Sequence, residues 1–202
     1  MDSNGDYMPR VMIVEDEEDV ADMFRMWLED DYDVTVALSG AEALDTLDDE
    51  DVDVVLLDRL MPGLSGDEVL ERIVEEGFGC RVAMVTAVEP DFDIVEMGFD
   101  EYVTKPSSPE ELRGTVKELL ERRKRSRQLQ EYASLRVKQA ALRTEKEYGE
   151  LEDSEEYAGL LSRIDELEGS LEDLNKDMSD TDFRTAIRDI EEERGSDTNL
   201  SR

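Results

Sequence analysis

An apolar run that ends in a carboxylate and a tight turn is the feature that most constrains this fold. Residues 52–57 are mostly apolar, and they lead directly into Asp58 and a turn punctuated by Pro62, Gly63 and Gly66. Such a run predicts a strand that is buried on both faces, as in a parallel α/β sheet. Asp58 would then lie at the carboxyl end of a central strand, where open α/β sheets bind ligands. Taken alone, Asp58 is better explained as a turn residue, so the other strand ends decide its role.

Five apolar segments predict strands, and amphipathic segments separate them. The predicted strands are 11–14, 34–38, 52–57, 82–85 and 102–104. Apolar residues at helical spacing indicate the intervening helices, two of which begin with capping boxes at Ser39 and Ser65. A short helix is expected within 93–97, and another helix begins after Ser108. This alternation predicts a flavodoxin-like, doubly wound, five-stranded parallel sheet over residues 10–120.

The C-terminal part of the chain differs in kind. Residues 109–148 carry a helical stripe of apolar residues, which Gly149 and an acidic stretch interrupt. Between Leu160 and Met178 apolar residues recur by fours and threes, the heptad pattern of a coiled coil. We expect an all-α helical hairpin or coiled coil, formed within one chain or between two. The predicted domains are a flexible tail at 1–9, the sheet domain at 10–120, the helical domain at 121–180, and a polar, partly helical tail at 181–202.

Charge and composition limit the environment and the partners. The 202 residues include 56 acidic and 23 basic residues and no histidine, which gives a formal net charge of −33. Such a charge repels nucleic acid and anionic membranes and opposes compaction, but molar salt shortens the Debye length to about 3 Å and removes most of that penalty. We therefore expect a cytoplasmic protein of a halophile, and the single cysteine fits a reducing compartment. No apolar run is long enough for a membrane span, and the first residues lack the pattern of a signal peptide.

The carboxyl ends of the predicted strands carry a specific set of side chains. Glu15 and Asp16 follow the first strand, Asp58 the third, Thr86 the fourth and Lys105 the fifth. In a parallel sheet these ends share one edge. Mg²⁺ prefers a few carboxylates together with water and phosphate oxygens, and it would relieve the repulsion within the cluster. One carboxylate is then free to attack phosphorus, while the lysine and the metal neutralise the phosphoryl oxygens.

These residues and their flanking motifs resemble the receiver domain of two-component response regulators. The motifs are Val14-Glu15-Asp16-Glu17, Asp58-Arg59-Leu60-Met61-Pro62 with Gly66, Val85-Thr86-Ala87, and Tyr102-Val103-Thr104-Lys105-Pro106. The resemblance implies that Asp58 is the phosphoacceptor. It also implies that Mg²⁺ is held by Glu15, Asp16, Asp58 and the backbone carbonyl of Leu60.

The resemblance assigns roles to three further residues. It implies that Lys105 and Thr86 contact the phosphate, and that Thr86 and Tyr102 form the switch pair. The implied donor is a sensor histidine kinase, and the implied chemistry is limited to accepting and slowly hydrolysing the chain's own aspartyl phosphate, so the chain is not expected to be an enzyme. Glu15 stands where many receivers have Asp. The segment from Thr86 to Lys105 is a few residues short, so we expect a stunted fourth helix and less support for the family's usual dimer mode.

The acidic helical part resembles the HalX output region that follows receivers in halophilic archaea, in its layout, length and acidity. This resemblance implies transcription regulation, with DNA or the transcription machinery as candidate partners. Heptads without a groove-reading element instead favour docking to another protein, or a homodimer through the C-terminal helices.

Two alternatives concern other parts of the chain. The basic run at 122–127 fits a nucleic-acid contact or, as we favour, a solvated helix face that pairs with acidic neighbours across the hairpin. Phosphate contacts lose affinity steeply as salt rises, which favours the second interpretation. A metal-dependent phosphatase of small substrates would also use clustered carboxylates, but no second catalytic acid or substrate cap is evident in the sequence.

Overall fold

The computed structural model describes residues 7–146 and 148–176. The chain divides into two compact units, Met1–Arg123 and Lys124–Arg202. The first unit contains the sheet. The second contains only helices among its described residues.

The first unit is built on a five-stranded parallel sheet. Its strands are β1 Arg10–Val14, β2 Asp33–Ala37, β3 Val54–Leu57, β4 Arg81–Thr86 and β5 Glu101–Thr104. They lie in the order β2-β1-β3-β4-β5, and every neighbouring pair is parallel. This is the predicted flavodoxin-like arrangement, with β3 in the centre. Strand β2 ends one residue earlier than predicted, because Leu38 lies outside the ladder with 40% of its surface exposed.

Helices cover both faces of the sheet. They are α1 Glu18–Leu28, α2 Gly40–Asp49, α3 Gly66–Glu76, and the first part of α4 Pro109–Glu145. The predicted capping box at Ser65 is present, because Ser65 Oγ accepts from the Glu68 N–H and the Glu68 carboxylate accepts from the Ser65 N–H. At Ser39 only half of the box forms, since Glu42 reaches the N–H of Leu38 instead.

The core lies on both sides of the central strands. On one face Met12, Leu57 and Met84 pack with α2 and α3, and on the other Ile13 and Leu56 pack with α1 and α4. Consecutive strand residues alternate between the two clusters, as the pleat requires. The near-continuous apolar sequence of β3 is explained by this burial on both faces.

The connection from β4 to β5 contains a 3-10 helix, Phe92–Glu96, and no α-helix. The prediction of a stunted fourth helix is therefore confirmed. The last helix of the sheet unit, α4, has no break near residue 120, where the sequence suggested a domain boundary; the helix continues to Glu145.

The second unit contains the rest of α4, a short helix α5 Tyr148–Glu152 and α6 Glu155–Lys176. The predicted interruption around Gly149 and residues 150–156 is present, because α4 ends at Glu145 and residues 153–154 separate α5 from α6; Gly149 itself lies inside α5. The described parts of α4 and α6 contact each other within one chain, in antiparallel order, as the pairs Gln128–Ser170 and Tyr132–Glu168 show. The predicted helical hairpin therefore forms within one chain.

The heptad residues account for the packing in this unit. Ile164 and Leu167 are the most buried, each with 2% of its surface exposed. Met178 and the predicted tail at 181–202 lie outside the described residues, as do the first six residues of the chain. None of the helices in the described ranges combines the length and the hydropathy that a membrane span requires.

Candidate functional site

Three carboxylates meet at the carboxyl edge of the sheet. Glu15 follows β1 and Asp58 follows β3, and the backbone N–H of Asp58 donates to the carbonyl of Val14 at 2.9 Å, which holds the two strand ends in register. Oxygens from Glu15, Asp16 and Asp58 all lie within 4.8 Å of one another. Glu15 is 1% exposed and Asp58 9% exposed. The residues that the sequence singled out at β1 and β3 are therefore brought together.

Lys105 joins this cluster from the end of β5. Its Nζ lies 2.7 Å from Asp58 Oδ2 and also contacts the Glu15 carboxylate. Burial lowers the pKa of Lys105, but the hydrogen bonds that its ammonium donates to Asp58 and Glu15, together with the charges of these carboxylates, outweigh burial and leave the pKa above its ordinary value. The ammonium is thus held in its charged form, close enough to neutralise oxygens bound at Asp58.

Glu15 is incompletely satisfied. Burial raises the pKa of its carboxyl above the ordinary value despite the hydrogen bond from Lys105, and the charge of Asp58 adds to the increase. Its Oε1 is buried without a hydrogen-bond partner in the described structure. A buried carboxylate oxygen without a partner, beside two further carboxylates, fits a divalent cation with a preference for oxygen ligands. The donor set is therefore suited to Mg²⁺.

Leu60 lies two residues beyond Asp58 in the turn that leaves β3. Its backbone N–H donates to Asp58 Oδ1 at 3.2 Å, and its side chain is 66% exposed. The backbone at this position is thus tied to the Asp58 carboxylate, while the side chain has little packing of its own.

Thr86 and Tyr102 share a contact with one residue, Val88. Thr86 is 1% exposed, and its Oγ1 accepts from the Val88 N–H at 3.4 Å. The Tyr102 hydroxyl donates to the Val88 carbonyl at 2.9 Å. The backbone of Thr86 also accepts from the Lys105 N–H at 2.8 Å. Val88 was not singled out in the sequence, where its only signal is its place two residues after Thr86.

The turn from β3 to α3 depends on a close backbone approach and an ion pair. A Cβ at Gly66 would lie 2.1 Å from the Asp58 carbonyl oxygen, so only glycine fits there. The Gly66 N–H donates to the Arg59 carbonyl at 2.9 Å. The Arg59 guanidinium in turn contacts the Asp67 carboxylate through two nitrogens. Sequence reasoning gave no role to Arg59 or Asp67, although opposite charges flank the turn.

The beginning of the basic run pairs differently from the prediction. We expected the run to pair across the hairpin, but Arg123 contacts the buried Asp53 and donates to the Gly79 carbonyl at 2.7 Å. Arg122 donates to the Asp100 carbonyl at 2.8 Å. The reason is that α4 packs its apolar stripe on the sheet, and the next turn of the helix then lies beside the amino ends of the strands.

Comparison with known proteins identifies two domains in sequence. Residues 11–117 match the response regulator receiver domain, and residues 121–187 match the HalX domain. A Haloferax volcanii protein named "Putative transcriptional regulator" is 50% identical over 156 residues, 77% of this chain and 26% of that protein. The PhoP protein of Bacillus subtilis strain 168, named as an alkaline phosphatase synthesis transcriptional regulatory protein, is 37% identical over 117 residues, 56% of this chain and 49% of that protein. The chain spans about half or less of the length of these relatives.

Solved structures agree with the match over the sheet unit. The response regulator protein TrrA from Thermotoga maritima, solved in complex with Mg(2+)-BeF, is 33% identical with a TM-score of 0.51, covering 56% of this chain and 100% of that one. A CheY-like receiver domain from Methanospirillum hungatei JF-1 is 28% identical with a TM-score of 0.55, covering 58% of this chain and 97% of that one. The receiver match covers residues 11–117, which is more than half of the chain. These residues include the strands whose ends form the acidic site. The chain therefore belongs to the response regulator family, with a receiver domain followed by a HalX domain.

Proposed function

We propose that Asp58 accepts a phosphoryl group from a sensor histidine kinase and that this event switches the helical output domain. The observation that carries the proposal is the contact of Asp58 with Lys105 inside a cluster of three carboxylates at the sheet edge. An aspartate that served only to form the turn would not require a contact with a buried ammonium or a second buried carboxylate beside it. The match to the receiver domain supports the same chemistry.

The proposed reaction transfers phosphorus from nitrogen to oxygen. A carboxylate oxygen of Asp58 attacks the phosphorus of the donor's phosphohistidine, the P–N bond breaks, and an acyl phosphate forms. Lys105 neutralises the phosphoryl oxygens, since charge stabilisation and positioning dominate this chemistry. Mg²⁺, when held by Glu15, Asp16, Asp58 and the Leu60 carbonyl, supplies further positive charge. Hydrolysis of this acyl phosphate is the only turnover that we propose.

The proposed switch runs through Val88. The Thr86 hydroxyl bonds the new phosphoryl group and gives up its contact with the Val88 N–H, which is long at 3.4 Å. Because the Tyr102 hydroxyl holds the carbonyl of the same residue, movement at Val88 repositions Tyr102. Tyr102 packs against Phe99, with ring centroids 5.6 Å apart, so the change reaches the surface beside β5.

Phosphate uptake by purified protein tests the assignment of Asp58. The full chain is incubated with acetyl phosphate and Mg²⁺ in molar KCl, and intact mass is measured. We expect the wild type to gain one phosphoryl group and Asp58→Asn to gain none. Asp45→Asn, an exposed change of the same kind in α2, should label like the wild type. Full labelling of Asp58→Asn would refute the assignment.

For the output, we propose regulation of transcription from the cytoplasm, supported by the HalX match and by relatives named as transcriptional regulators. The alternative is phosphorylation-switched docking or dimerisation without DNA binding, which the net charge of −33 favours. Protection of promoter DNA by the phosphorylated chain at native salt would support the first. A change of light-scattering mass on phosphorylation, seen in the wild type but not in Asp58→Asn and without DNA protection, would support the second.

A further inference from the structure

The Arg59–Asp67 ion pair spans the turn that carries Leu60. Arg59 Nε lies 3.0 Å from Asp67 Oδ1, and Arg59 Nη2 lies 3.1 Å from Asp67 Oδ2, so the contact is bidentate. The Arg59 side chain is 12% exposed and that of Asp67 39%. The pair therefore joins the exit from β3 to the first turn of α3 through a contact that is partly shielded from water.

We propose that this pair positions the proposed metal site by fixing the turn between Asp58 and α3. The inference rests on the proposed function, since it assigns a role toward Mg²⁺. Arg59 and Asp67 are positioning residues here, because they would act through the backbone of Leu60 and not through contact with the metal.

Few other contacts hold the turn that carries Leu60, which is why the Arg59–Asp67 ion pair matters for its conformation. Gly66 closes the turn against the Asp58 and Arg59 backbone, and Leu60 is tied to Asp58 by one hydrogen bond at 3.2 Å. The Leu60 side chain is 66% exposed and adds little packing. The direction of the Leu60 carbonyl therefore depends on how firmly the two ends of the turn are held. The ion pair holds both ends through residues next to Asp58 and next to Gly66.

Charge alone predicts a different result from positioning. Arg59 carries a positive charge one residue from Asp58, so its removal would strengthen Mg²⁺ binding if only Coulomb repulsion mattered. Removal of Asp67 would weaken binding by the same reasoning. If the ion pair instead positions the turn, removal of either Arg59 or Asp67 should weaken Mg²⁺ binding. The sign of the Arg59 effect thus separates the two explanations.

The experiment measures Mg²⁺ affinity of the unphosphorylated full chain by titration calorimetry in molar KCl. We expect Arg59→Met and Asp67→Asn each to weaken binding by about tenfold or more, the usual effect of losing a residue that orients metal ligands. The double variant should bind no more weakly than either single variant, because both remove the same contact. Arg59→Lys keeps the charge but loses the bidentate contact of the guanidinium, so its Mg²⁺ affinity should lie between those of the wild type and Arg59→Met.

A matched control lies further along the same helix, α3. Arg72 and Glu76 form an ion pair on the exposed side of α3, with side chains 58% and 43% exposed. Arg72→Met removes the same charge without touching the turn, so its Mg²⁺ affinity should stay within about twofold of the wild type, as screened surface charges have small effects. Urea unfolding without Mg²⁺ confirms that each variant is folded.

The outcomes separate this inference from the proposed function. If Arg59→Met is folded and binds Mg²⁺ as tightly as the wild type or more tightly, the positioning role is refuted while phosphate uptake by the wild type still stands. If Arg59→Met does not fold, Arg59→Lys carries the test, because it keeps the positive charge and should still weaken Mg²⁺ binding. If the wild type takes up neither Mg²⁺ nor phosphate, the proposed function fails, and the inference with it.

Discussion

Asp58 is placed as much by Gly66 as by its own strand. The glycine lies against the Asp58 carbonyl, and its N–H donates to the Arg59 carbonyl, so the chain turns sharply from β3 into α3. This close approach leaves the carboxylate at the sheet edge beside Lys105, with 9% of the residue exposed. The chemistry proposed for one side chain thus depends on the missing side chain of another.

Replacing Gly66 by alanine should damage both stability and the site. The added Cβ would lie 2.1 Å from the Asp58 carbonyl oxygen and 2.8 Å from the Arg59 Cα, so the backbone must move. We expect Gly66→Ala to lower the free energy of unfolding by about 2 kcal/mol or more, as overpacking does. Mg²⁺ affinity should fall as well, because the turn carries the proposed Leu60 ligand. Urea unfolding and calorimetry measure the two effects.

Gly114 supplies the control for this prediction. It lies inside α4, and a Cβ there would meet nothing within 4 Å. Gly114→Ala should therefore raise the free energy of unfolding by about 0.5–1 kcal/mol, since glycine is a poor helix former. A Gly66→Ala protein as stable as the wild type would contradict the steric argument.

At the scale of single elements, β3 carries a buried carboxylate at each end. Asp58 follows its last residue and pairs with Lys105, whereas Asp53 precedes its first residue and pairs with Arg123. Asp53 is 2% exposed and also accepts from the Tyr7 hydroxyl at 2.6 Å and the Arg10 N–H at 2.7 Å. The carboxyl end of β3 carries the proposed phosphoacceptor, and the amino end ties Tyr7 and Arg123 of α4 to the sheet.

Loss of the Arg123 side chain should destabilise the sheet unit. Arg123→Met leaves the buried Asp53 carboxylate without its ion-pair partner, and breaking such a pair costs about 3 kcal/mol. We expect a matching fall in the free energy of unfolding, measured in urea at 2 M KCl through the fluorescence of Trp27, the one tryptophan of the chain.

Two further variants test the cause of that loss. Lys124→Met removes the same charge from the next, exposed residue of α4, and its effect should stay within about 0.5 kcal/mol. Asp53→Asn combined with Arg123→Met should recover part of the lost stability, because no unpaired buried charge remains. Equal losses for Arg123→Met and Lys124→Met would show that the Asp53 contact is unimportant.

At the scale of the whole molecule, the excess of acidic residues dominates. The net charge of −33 is spread over 202 residues, and ion pairs within the described structure use only part of the acidic side chains. Self-repulsion of this size opposes the compact state unless salt screens it. The stability of both units is therefore expected to depend on the ionic strength.

The melting temperature should rise with KCl and then level off. Between 0.1 M and 1 M salt the Debye length falls from about 10 Å to about 3 Å, which removes most of the repulsion between separated charges. We expect an increase of at least about 3 °C over this range, the shift that roughly 1 kcal/mol produces in a chain of this size. A uniform slope continuing to 3 M KCl would instead indicate exclusion of salt from the protein surface.

The sequence by itself determined the sheet class, the carboxyl ends of β1, β3 and β5, and the residues that meet there. Apolar runs and helical spacings are local patterns, and the parallel topology then brings Glu15, Asp58 and Lys105 to one edge without any knowledge of packing. The short β4–β5 segment likewise predicted the stunted helix there. Local pattern is sufficient in these cases because strand burial and connection length restrict the chain to very few arrangements.

Only the tertiary structure decided which distant polar groups meet. The pairing of Arg123 with Asp53, of Arg59 with Asp67, and of Thr86 with Tyr102 through Val88 follows no sequence period. The helices of the second unit likewise pair within one chain, a choice that heptads leave open. These contacts depend on side-chain direction and on where a packed helix ends. The sequence offers each arginine many acidic residues as possible partners, and only the fold brings one of them within contact distance.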